Sequence, residues 1–286
     1  MNSKLASILS KTNCVEQGDG IFVSKTPKIS DLQKDEVVLR ERIAKIIYDD
    51  YFNIIAKNHS ISVMDSEVDR FIAKMPEGAI ILDIGGCWGW HWRRIAKNRP
   101  DIGVLIIDFV RNNLAHALNV LGPLVGTQVA LMHADATALP FATTDEGIFD
   151  GIWTVQTFQH IPDFTKAIKE SHRVLKPRGY FINYSLHKTP FNRGVYKILG
   201  KSYHCEGMVK GSFYLARAND HQLEIIEKIF SSKVVEGFAE CLFHPDLKLT
   251  FTGRKGSLLG WLDVFLSHIR PLAFLIARQR IFLVSK

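Results

Sequence analysis

Residues 79–94 constrain the fold more than any other stretch of the chain. An unbroken apolar run, Ala79 to Leu82, has the composition of a strand that is buried on both faces. Asp83 ends the run, glycines follow it closely, and large apolar residues then recur at helical spacing. A strand, a glycine turn and a helix in this order bring backbone N–H groups to a ligand and point a helix N-terminus at it.

The spacing of the glycines argues against a dinucleotide as that ligand. A dinucleotide fingerprint requires G-x-G-x-x-G, whereas the second and third glycine positions here hold Cys87 and Trp90. Asp83 would also repel a pyrophosphate, so it suits a cationic or hydroxyl-rich ligand better. Taken alone, the loop could also be a turn with a purely structural role. Its glycines are Gly85, Gly86 and Gly89.

A second acid follows the next predicted strand. The apolar run Ile102 to Ile107 ends in Asp108, 25 residues past Asp83. A carboxylate in this position can accept hydrogen bonds from both hydroxyls of a ribose, and Phe109 would offer its ring face to an adenine. Asp108 therefore predicts a nucleoside without choosing the cofactor. The alternative is an acid that only caps the following helix.

The alternation of strands and helices continues downstream in regular order. The segments are a third strand over 128–132, the run Asp-Ala-Thr-Ala-Leu-Pro-Phe at 135–141, a fourth strand over 149–153, a helix over 167–175 and a fifth strand over 181–185. Such alternation is typical of an α/β fold with a parallel sheet.

These motifs resemble the class I S-adenosylmethionine (SAM) dependent methyltransferases, in the type 11 branch that includes the ubiquinone/menaquinone biosynthesis methyltransferases. The family's first motif, Asp-x-Gly-x-Gly-x-Gly, is matched by Asp83, Gly85 and Gly89, with Cys87 in place of the middle glycine. The run at 135–141 and the Leu-Lys-Pro-Arg-Gly turn that begins at Leu175 match later motifs. The resemblance covers residues 79–185.

The resemblance implies a Rossmann-like, seven-stranded and mostly parallel sheet with helices on both faces, and SAM as the cofactor. It also implies that Asp135 accepts a hydrogen bond from the adenine amino group, and that the loop after the fourth strand faces the donor methyl. His160 in this loop is the candidate general base, and a histidine that only fastens the loop is the alternative. The expected cofactor-binding residues are Asp83, Gly85, Gly86, Cys87, Gly89, Asp108, Phe109, Asp135, Ala136, Thr154 and Val155.

The segment before the first strand predicts an arm and a lid. Residues 1–36 are polar and poorly periodic, so we expect them to pack loosely. Residues 37–57 carry a helical apolar stripe, and a second helix is predicted to begin at Asp65. Both helices would lie over the ligand mouth or pack at an edge of the sheet. We therefore divide the chain into an arm and lid helix over 1–60 and a methyltransferase domain over 61–286.

Two further regions follow the fifth strand. Residues 186–216 predict a cap insertion, rich in aromatic and basic side chains, that forms an acceptor pocket or lid, or a surface cap packed by its own aromatics. The sixth and seventh strands are predicted over 234–239 and 280–284. The apolar stretch 258–277 is interrupted by polar residues, and charges at a bilayer centre cost roughly 2.5–3.5 kcal/mol each, so it does not span a membrane. Its basic surroundings would still let it rest peripherally against an anionic membrane.

Charge and cysteine usage bound the partners and the compartment. The net charge of +7 and the pI near 9.2 permit a nucleic-acid partner, yet the chain has neither a recognisable RNA-binding appendage nor an Asn-Pro-Pro-Tyr motif. Nucleic acid is therefore not the expected partner. Four cysteines without CxxC spacing predict reduced thiols in the cytoplasm. His204 and Cys205 lack further ligands at metal spacing, so no metal site is predicted.

The sequence as a whole predicts methyl transfer from SAM to a small or lipophilic metabolite, at oxygen, carbon or nitrogen. One alternative is an RNA methyltransferase, suggested by the basic pI. The other is a catalytically silent binding or scaffold protein of the same fold, in which Cys87 and Trp90 crowd the loop. Neither the acceptor nor the oligomeric state can be predicted from this chain.

Overall fold

The computed structural model describes residues 1–24, 31–46, 60–211, 213–244, 251 and 253–286. Their strands are β1 (Val15–Glu16), β2 (Ile21–Val23), β3 (Ile80–Ile84), β4 (Gly103–Asp108), β5 (Val129–His133), β6 (Phe149–Val155), β7 (Leu175–Leu186), β8 (Glu206–Val209), β9 (Phe213–Ala216), β10 (Val235–Ala239) and β11 (Gln279–Ser285). Their α-helices are α1 (Ser3–Ser10), α2 (Asp31–Ile46), α3 (Ser60–Ile72), α4 (Ile95–Asn98), α5 (Arg111–Leu121), α6 (Phe164–Val174), α7 (Pro190–Ile198), α8 (Asp220–Phe230), α9 (Gly253–Ser267) and α10 (Arg270–Ile276).

A nine-stranded sheet organises these elements in the order β1-β2-β5-β4-β3-β6-β7-β11-β10. The six strands from β2 to β7 in this order run parallel, and β11 is antiparallel to both of its neighbours. The chain leaves β3 towards β4 on one side and returns to β6 on the other. In open α/β sheets, ligands bind outside the carboxyl ends of the strands where the order reverses in this way.

The central strands are buried because apolar side chains cover both of their faces. Along β3, Leu82 belongs to one buried cluster and its neighbour Ile81 to the cluster on the opposite face. Along β4, Leu105 and Ile106 divide in the same way. Complete burial of such a side chain contributes about 1.5–3 kcal/mol, so these two strands anchor the fold.

The register of the strands brings three acids to one edge of the sheet. Ile84 pairs with Ile107 across β3 and β4, and Asp108 pairs with His133 across β4 and β5. Asp83, Asp108 and Asp135 therefore lie at the ends of neighbouring strands. All seven strands predicted from the sequence are present, with ends that differ by a few residues.

The loose packing expected of residues 1–36 is wrong for residues 1–24. Leu5 and Leu9 are buried in the core, and the side chain of Asn2 caps α1 by accepting from the backbone of Lys4 and Leu5. The strand β2 pairs with β5 and β1 pairs with β2, so the sheet has nine strands instead of the predicted seven. Strands of two and three residues are too short to leave a periodic pattern in the sequence.

Several helix boundaries also differ from the prediction. The lid helix α2 begins at Asp31, earlier than expected, and residues 47–59 lie outside the described part. The next helix, α3, begins at Ser60, so Asp65 lies within it and forms an ion pair with Arg93 at 2.6 Å instead of capping.

The helix expected directly after the glycine loop is only a short 3₁₀ turn, Trp90–Trp92, followed by the single-turn helix α4. Further along the chain, the cap of α8 is Asn219, whose side chain accepts from the backbone N–H of Gln222 at 2.9 Å.

Two elements lie in the predicted cap insertion, α7 and the separate two-stranded sheet β8–β9. The division of the chain at residue 60 stays a prediction. Within the described ranges, no single helix is long and apolar enough to cross a membrane. By length and composition, α9 and α10 would do so only as a pair, and they are bent by 114° at the break between them.

Candidate active site

A cavity of about 290 Å³ opens at the carboxyl ends of β3, β4, β5 and β6. Seven of the eleven predicted cofactor-binding residues line it, namely Gly85, Cys87, Asp108, Phe109, Asp135, Ala136 and Val155. His160 also lines it, whereas Asp83, Gly86, Gly89 and Thr154 do not. The cavity thus gathers residues from four separate strand ends.

Two of the loop glycines are required by packing inside the protein. A Cβ atom on Gly86 would overlap the carboxylate of Asp83. Gly89 has a φ of +67°, and a Cβ there would come within 2.6 Å of Leu121 in α5. These positions let the turn lie directly on β3 and α5, which explains why they carry glycine without lining the cavity.

Asp83 lies beneath the loop and supports it from below. Its side chain is 1% exposed, and the indole Nε1–H of Trp92 donates to its Oδ2 at 2.6 Å. Burial raises the pKa of Asp83 to about 7, although the bond from Trp92 opposes that shift. The hydrogen bond thus connects the end of β3, just before the glycine turn, to the 3₁₀ turn that follows the glycines.

Asp108 lies at the cavity wall with its carboxylate oriented by the backbone. The N–H of Val110 donates to Oδ1 at 2.7 Å, and the N–H of Cys87 donates to Oδ2 at 3.0 Å. Cys87 occupies the left-handed region, with a φ of +51°, and this conformation aims its N–H at the carboxylate. Burial raises the pKa of Asp108. The side-chain Nδ2 of Asn113 also donates to Oδ1, at 3.3 Å. Each carboxylate oxygen carries two lone pairs, so Oδ2 is the oxygen that can still accept from a ligand.

Asp135 lies on the same wall, one strand further along the sheet. Its carboxylate accepts from the backbone N–H of Thr137 at 2.8 Å and from the Thr137 hydroxyl at 2.9 Å. The side chain is 4% exposed and fixed by these two bonds, so its orientation is set before any ligand arrives.

The end of β6 contributes one of its two predicted residues to the cavity. Thr154 is fully buried, so its side chain points into the protein. Its backbone pairs with that of Asn183 in β7. Val155 follows on the cavity side. Side chains alternate along a strand, so only one of two neighbours can face a given side.

His160 is held as a neutral ring at the edge of the cavity. Its Nδ1 lies 2.9 Å from the carbonyl oxygen of Tyr214, which only accepts, so Nδ1 carries the hydrogen. Nη2 of Arg40 then donates to Nε2 of His160 at 3.1 Å. Burial, and after it the charge of Arg40, lowers the pKa of His160 to about 3. A general base needs a free lone pair, and in this arrangement the lone pair on Nε2 of His160 is occupied by the hydrogen bond from Arg40.

Among the cavity residues that the sequence analysis missed, two are charged, Glu36 and Arg40. Both lie on α2, one helical turn apart, with 3.5 Å between Nε of Arg40 and Oε1 of Glu36. Burial raises the pKa of Glu36 to about 7, which outweighs the opposing effect of Arg40. Arg40 is the one Lys or Arg side chain among the described residues that line this cavity. The available signal was the i,i+4 spacing of Glu36 and Arg40, but the predicted helix began at residue 37 and left Glu36 in the arm.

The cap insertion closes around its own aromatic residues. The guanidinium of Arg217 lies 4.5 Å from the ring centre of Tyr203, and its Nε donates to the carbonyl of His204 at 2.8 Å. Arg217 is thereby buried within the cap. The hairpin β8–β9 still reaches the site, because Phe213 lies beside both His160 and Arg40.

A second cavity, about 370 Å³ in volume, lies between α3, β10, β11 and the break between α9 and α10. Among the described residues that line it, none belongs to a glycine turn or is an acid at the end of a parallel strand. The chemistry expected from the sequence is therefore concentrated in the first cavity.

Known proteins with related sequences identify the family. Residues 82–183 match the family described as methyltransferase domain. Malonyl-[acyl-carrier protein] O-methyltransferase of Geobacter sulfurreducens is 31% identical over 195 residues, which cover 65% of this chain and 68% of that protein. The chain belongs to the SAM-dependent methyltransferases. Demethylmenaquinone methyltransferase of Thermus thermophilus is 29% identical over 152 residues, or 51% of this methyltransferase and 66% of the relative.

Solved structures agree on the fold. Burkholderia thailandensis 1,6-didemethyltoxoflavin-N1-methyltransferase with bound S-adenosylhomocysteine superposes with a TM-score of 0.54 at 14% identity, covering 92% of this methyltransferase and 93% of that chain. This methyltransferase spans 53% and 55% of the length of two further curated relatives. As a member of this family it uses SAM as the cofactor and transfers its methyl group.

Proposed function

We propose that the cavity at the strand ends holds SAM with the ribose on Asp108 and the adenine beside Asp135 and Phe109. The observation that carries this assignment is the oriented carboxylate of Asp108, which faces the cavity while two backbone N–H groups fix it. Hydrogen bonds to a charged group contribute about 1.5–3 kcal/mol, enough to hold a ribose firmly.

We assign the methionine end of the cofactor to the glycine loop and to Arg40. The carboxylate of SAM requires a cation, and Arg40 supplies a guanidinium at this cavity. Its hydrogen bond to His160 and its proximity to Glu36 hold the guanidinium in place. On this assignment, α2 closes over the cofactor as the lid helix predicted from the sequence.

When bound, SAM supplies a methyl group on a sulfonium, which is already a good electrophile. The residues of the site therefore have two tasks, to orient the acceptor behind the methyl group and to exclude water. Orientation of two bound reactants can supply about 7–11 kcal/mol of the barrier. His160 as a general base stays a prediction, and its hydrogen bonds with Arg40 and Tyr214 support the alternative in which it fastens the loop.

We further propose that the small-molecule acceptor is lipophilic. The support comes from relatives named as quinone-pathway enzymes, among them the demethylmenaquinone methyltransferase. Such an acceptor is held in membranes, so a peripheral membrane contact through the basic C-terminal region belongs to this proposal. We keep the cytoplasmic location as a proposal also, supported by the four free cysteines.

Transfer of a labelled methyl group tests this function. The protein is incubated with methyl-labelled SAM and an extract of its source organism, and the Asp108→Ala variant serves as the control. We expect label in a small, solvent-extractable product with the wild type and far less with the variant. Label confined to RNA, or none at all, would contradict the proposal.

A further inference from the structure

The helices α9 and α10 expose an unusual number of large apolar side chains. Trp261 is 65% exposed, and six others between 258 and 275 are also well exposed. They are Leu258, Leu262, Phe265, Ile269, Phe274 and Leu275. Single exposed apolar residues are common on soluble proteins, but seven of them on two consecutive helices mark an interaction surface. We call these seven residues the apolar face.

The orientation of α9 is the reverse of that in an ordinary surface helix. Its small residues Gly256 and Gly260 are buried, together with Asp263. Asp263 accepts from the backbone N–H groups of Cys241 and Leu242 at 2.9 and 2.8 Å, and so ties the helix to the segment after β10. In an amphipathic helix of a globular protein, the large apolar residues would occupy the buried side instead.

The charges of this segment are of one sign wherever they are exposed. Arg254 and Lys255 lie in the first turn of α9, and Arg270 begins α10, all on the surface. Asp263 is the one acid between residues 251 and 277, and it is buried. A second copy of the chain would place like charges opposite one another, because the copy carries the same cations and a net charge of +7.

An anionic lipid surface complements both the exposed cations and the exposed apolar side chains of this segment. Basic residues near a membrane are attracted by its negative surface potential. Aromatic rings prefer the boundary between headgroups and acyl chains, and Trp261 and Phe265 stack there as one unit, with ring centres 5.9 Å apart and planes 14° apart. The 114° bend between α9 and α10 suits a helix pair that lies in the membrane interface and does not cross the bilayer.

We propose that the apolar face of α9 and α10 docks this methyltransferase on an anionic membrane surface, with Trp261 and Phe265 inserted among the lipids. The inference rests on the proposed function in one respect, that a lipophilic acceptor would be drawn from the bilayer. The contact itself depends only on the apolar face and its cations.

Vesicle flotation of the full chain tests the docking surface. The vesicles contain phosphatidylcholine alone or phosphatidylcholine mixed with phosphatidylserine. The wild type is expected to float with the mixed vesicles and to bind the neutral ones more weakly. The Trp261→Ala/Phe265→Ala variant should partition at least about tenfold less. Replacing Arg254 and Lys255 by Gln should weaken binding about fivefold per charge. The matched control is Ile198→Ala, which removes an apolar side chain of α7 that is 86% exposed and should change nothing.

Two results would overturn the proposal. One is wild-type protein that stays unbound with the mixed vesicles. The other is a wild-type dimer in sedimentation that Trp261→Ala/Phe265→Ala dissociates, since a second copy would then be the occupant. Titration with S-adenosylhomocysteine separates this inference from the proposed function. The surface variants should bind it as the wild type does, and a wild type that floats but fails to bind it would contradict the function alone.

Discussion

Arg40 on the lid helix donates a hydrogen bond to Nε2 of His160, 120 residues later in the chain, over 3.1 Å. The other ring nitrogen of His160 is bound to the carbonyl of Tyr214 in the cap hairpin. One neutral histidine thus connects the lid, the turn after β6 and the cap at the edge of the cofactor cavity. This connection holds the guanidinium at the cavity, where the proposed function assigns it to the methionine carboxylate.

Replacing Arg40 by Ala should therefore weaken only ligands that carry the amino-acid end of the cofactor. We expect the affinity for S-adenosylhomocysteine to fall about tenfold or more, as the loss of a charge-assisted hydrogen bond implies. 5′-Methylthioadenosine lacks the carboxylate and should bind Arg40→Ala as tightly as it binds the wild type. Calorimetric titration of both ligands measures the difference.

The control for that experiment is Arg42→Ala, because Arg42 is exposed on the same helix and does not line the cavity. Equal weakening of both ligands by Arg40→Ala would mean that Arg40 only maintains the fold of the site. Unchanged binding of both would refute its assignment to the carboxylate.

His160 should make the stability of the protein sensitive to acid. Its pKa is lowered to about 3 in the folded chain, from an ordinary value near 6.5, so the unfolded chain binds the proton first. The stabilising contribution is complete above pH 6.5 and is lost as the pH falls towards 3, by up to about 1.4 kcal/mol per pH unit. Urea unfolding of the wild type and of His160→Gln from pH 7 to pH 4 measures it. A difference between the two that stays constant with pH would contradict the burial of a neutral ring.

Gly86 should tolerate no side chain, because its Cβ would meet the buried carboxylate of Asp83. We expect Gly86→Ala to lower the free energy of unfolding by about 1–3 kcal/mol, the usual cost of overpacking. Gly194 lies in α7 with open space around it, so Gly194→Ala should instead raise stability by about 0.5–1 kcal/mol. Denaturant unfolding of both variants measures these free energies. Equal changes in the two variants would show that the glycine loop relaxes to accommodate the added Cβ.

Cys87 departs from the family motif and should be replaceable by the family's glycine. Its φ of +51° costs an L-residue roughly 1–2 kcal/mol, which glycine avoids while losing about 0.5–1 kcal/mol to chain entropy. Cys87→Gly should therefore keep the affinity for S-adenosylhomocysteine and change stability by no more than about 1 kcal/mol. Loss of binding would show that the thiol itself contacts the ligand.

The strands and their acids could be predicted because their causes are local. A parallel strand buried on both faces needs an uninterrupted apolar run, and β3 and β4 show one before Asp83 and Asp108. The order of the motifs along the chain then predicted which strand ends lie next to one another in the sheet. The predicted SAM-dependent methyltransferase family and the mostly parallel α/β sheet are confirmed.

The parts that escaped prediction depend on contacts between distant segments. The apolar run of β2, Ile21 to Val23, is too short to predict a strand, and β2 forms because the edge of β5 is there to pair with it. Arg40 enters the site only through its contact with His160. Likewise, the hydrogen bond that the buried Asp83 accepts from the indole of Trp92 could not be predicted from the sequence pattern.

The central claim is that Asp108 holds the ribose of SAM in the cavity beside Gly85. Calorimetric titration of S-adenosylhomocysteine into the wild type and Asp108→Ala tests it most directly, with thermal unfolding as a check that the variant is folded. The account predicts saturable binding of one ligand per wild-type chain and an affinity at least about tenfold lower for folded Asp108→Ala. An unchanged affinity in that variant, or a wild type that binds no S-adenosylhomocysteine, would contradict it.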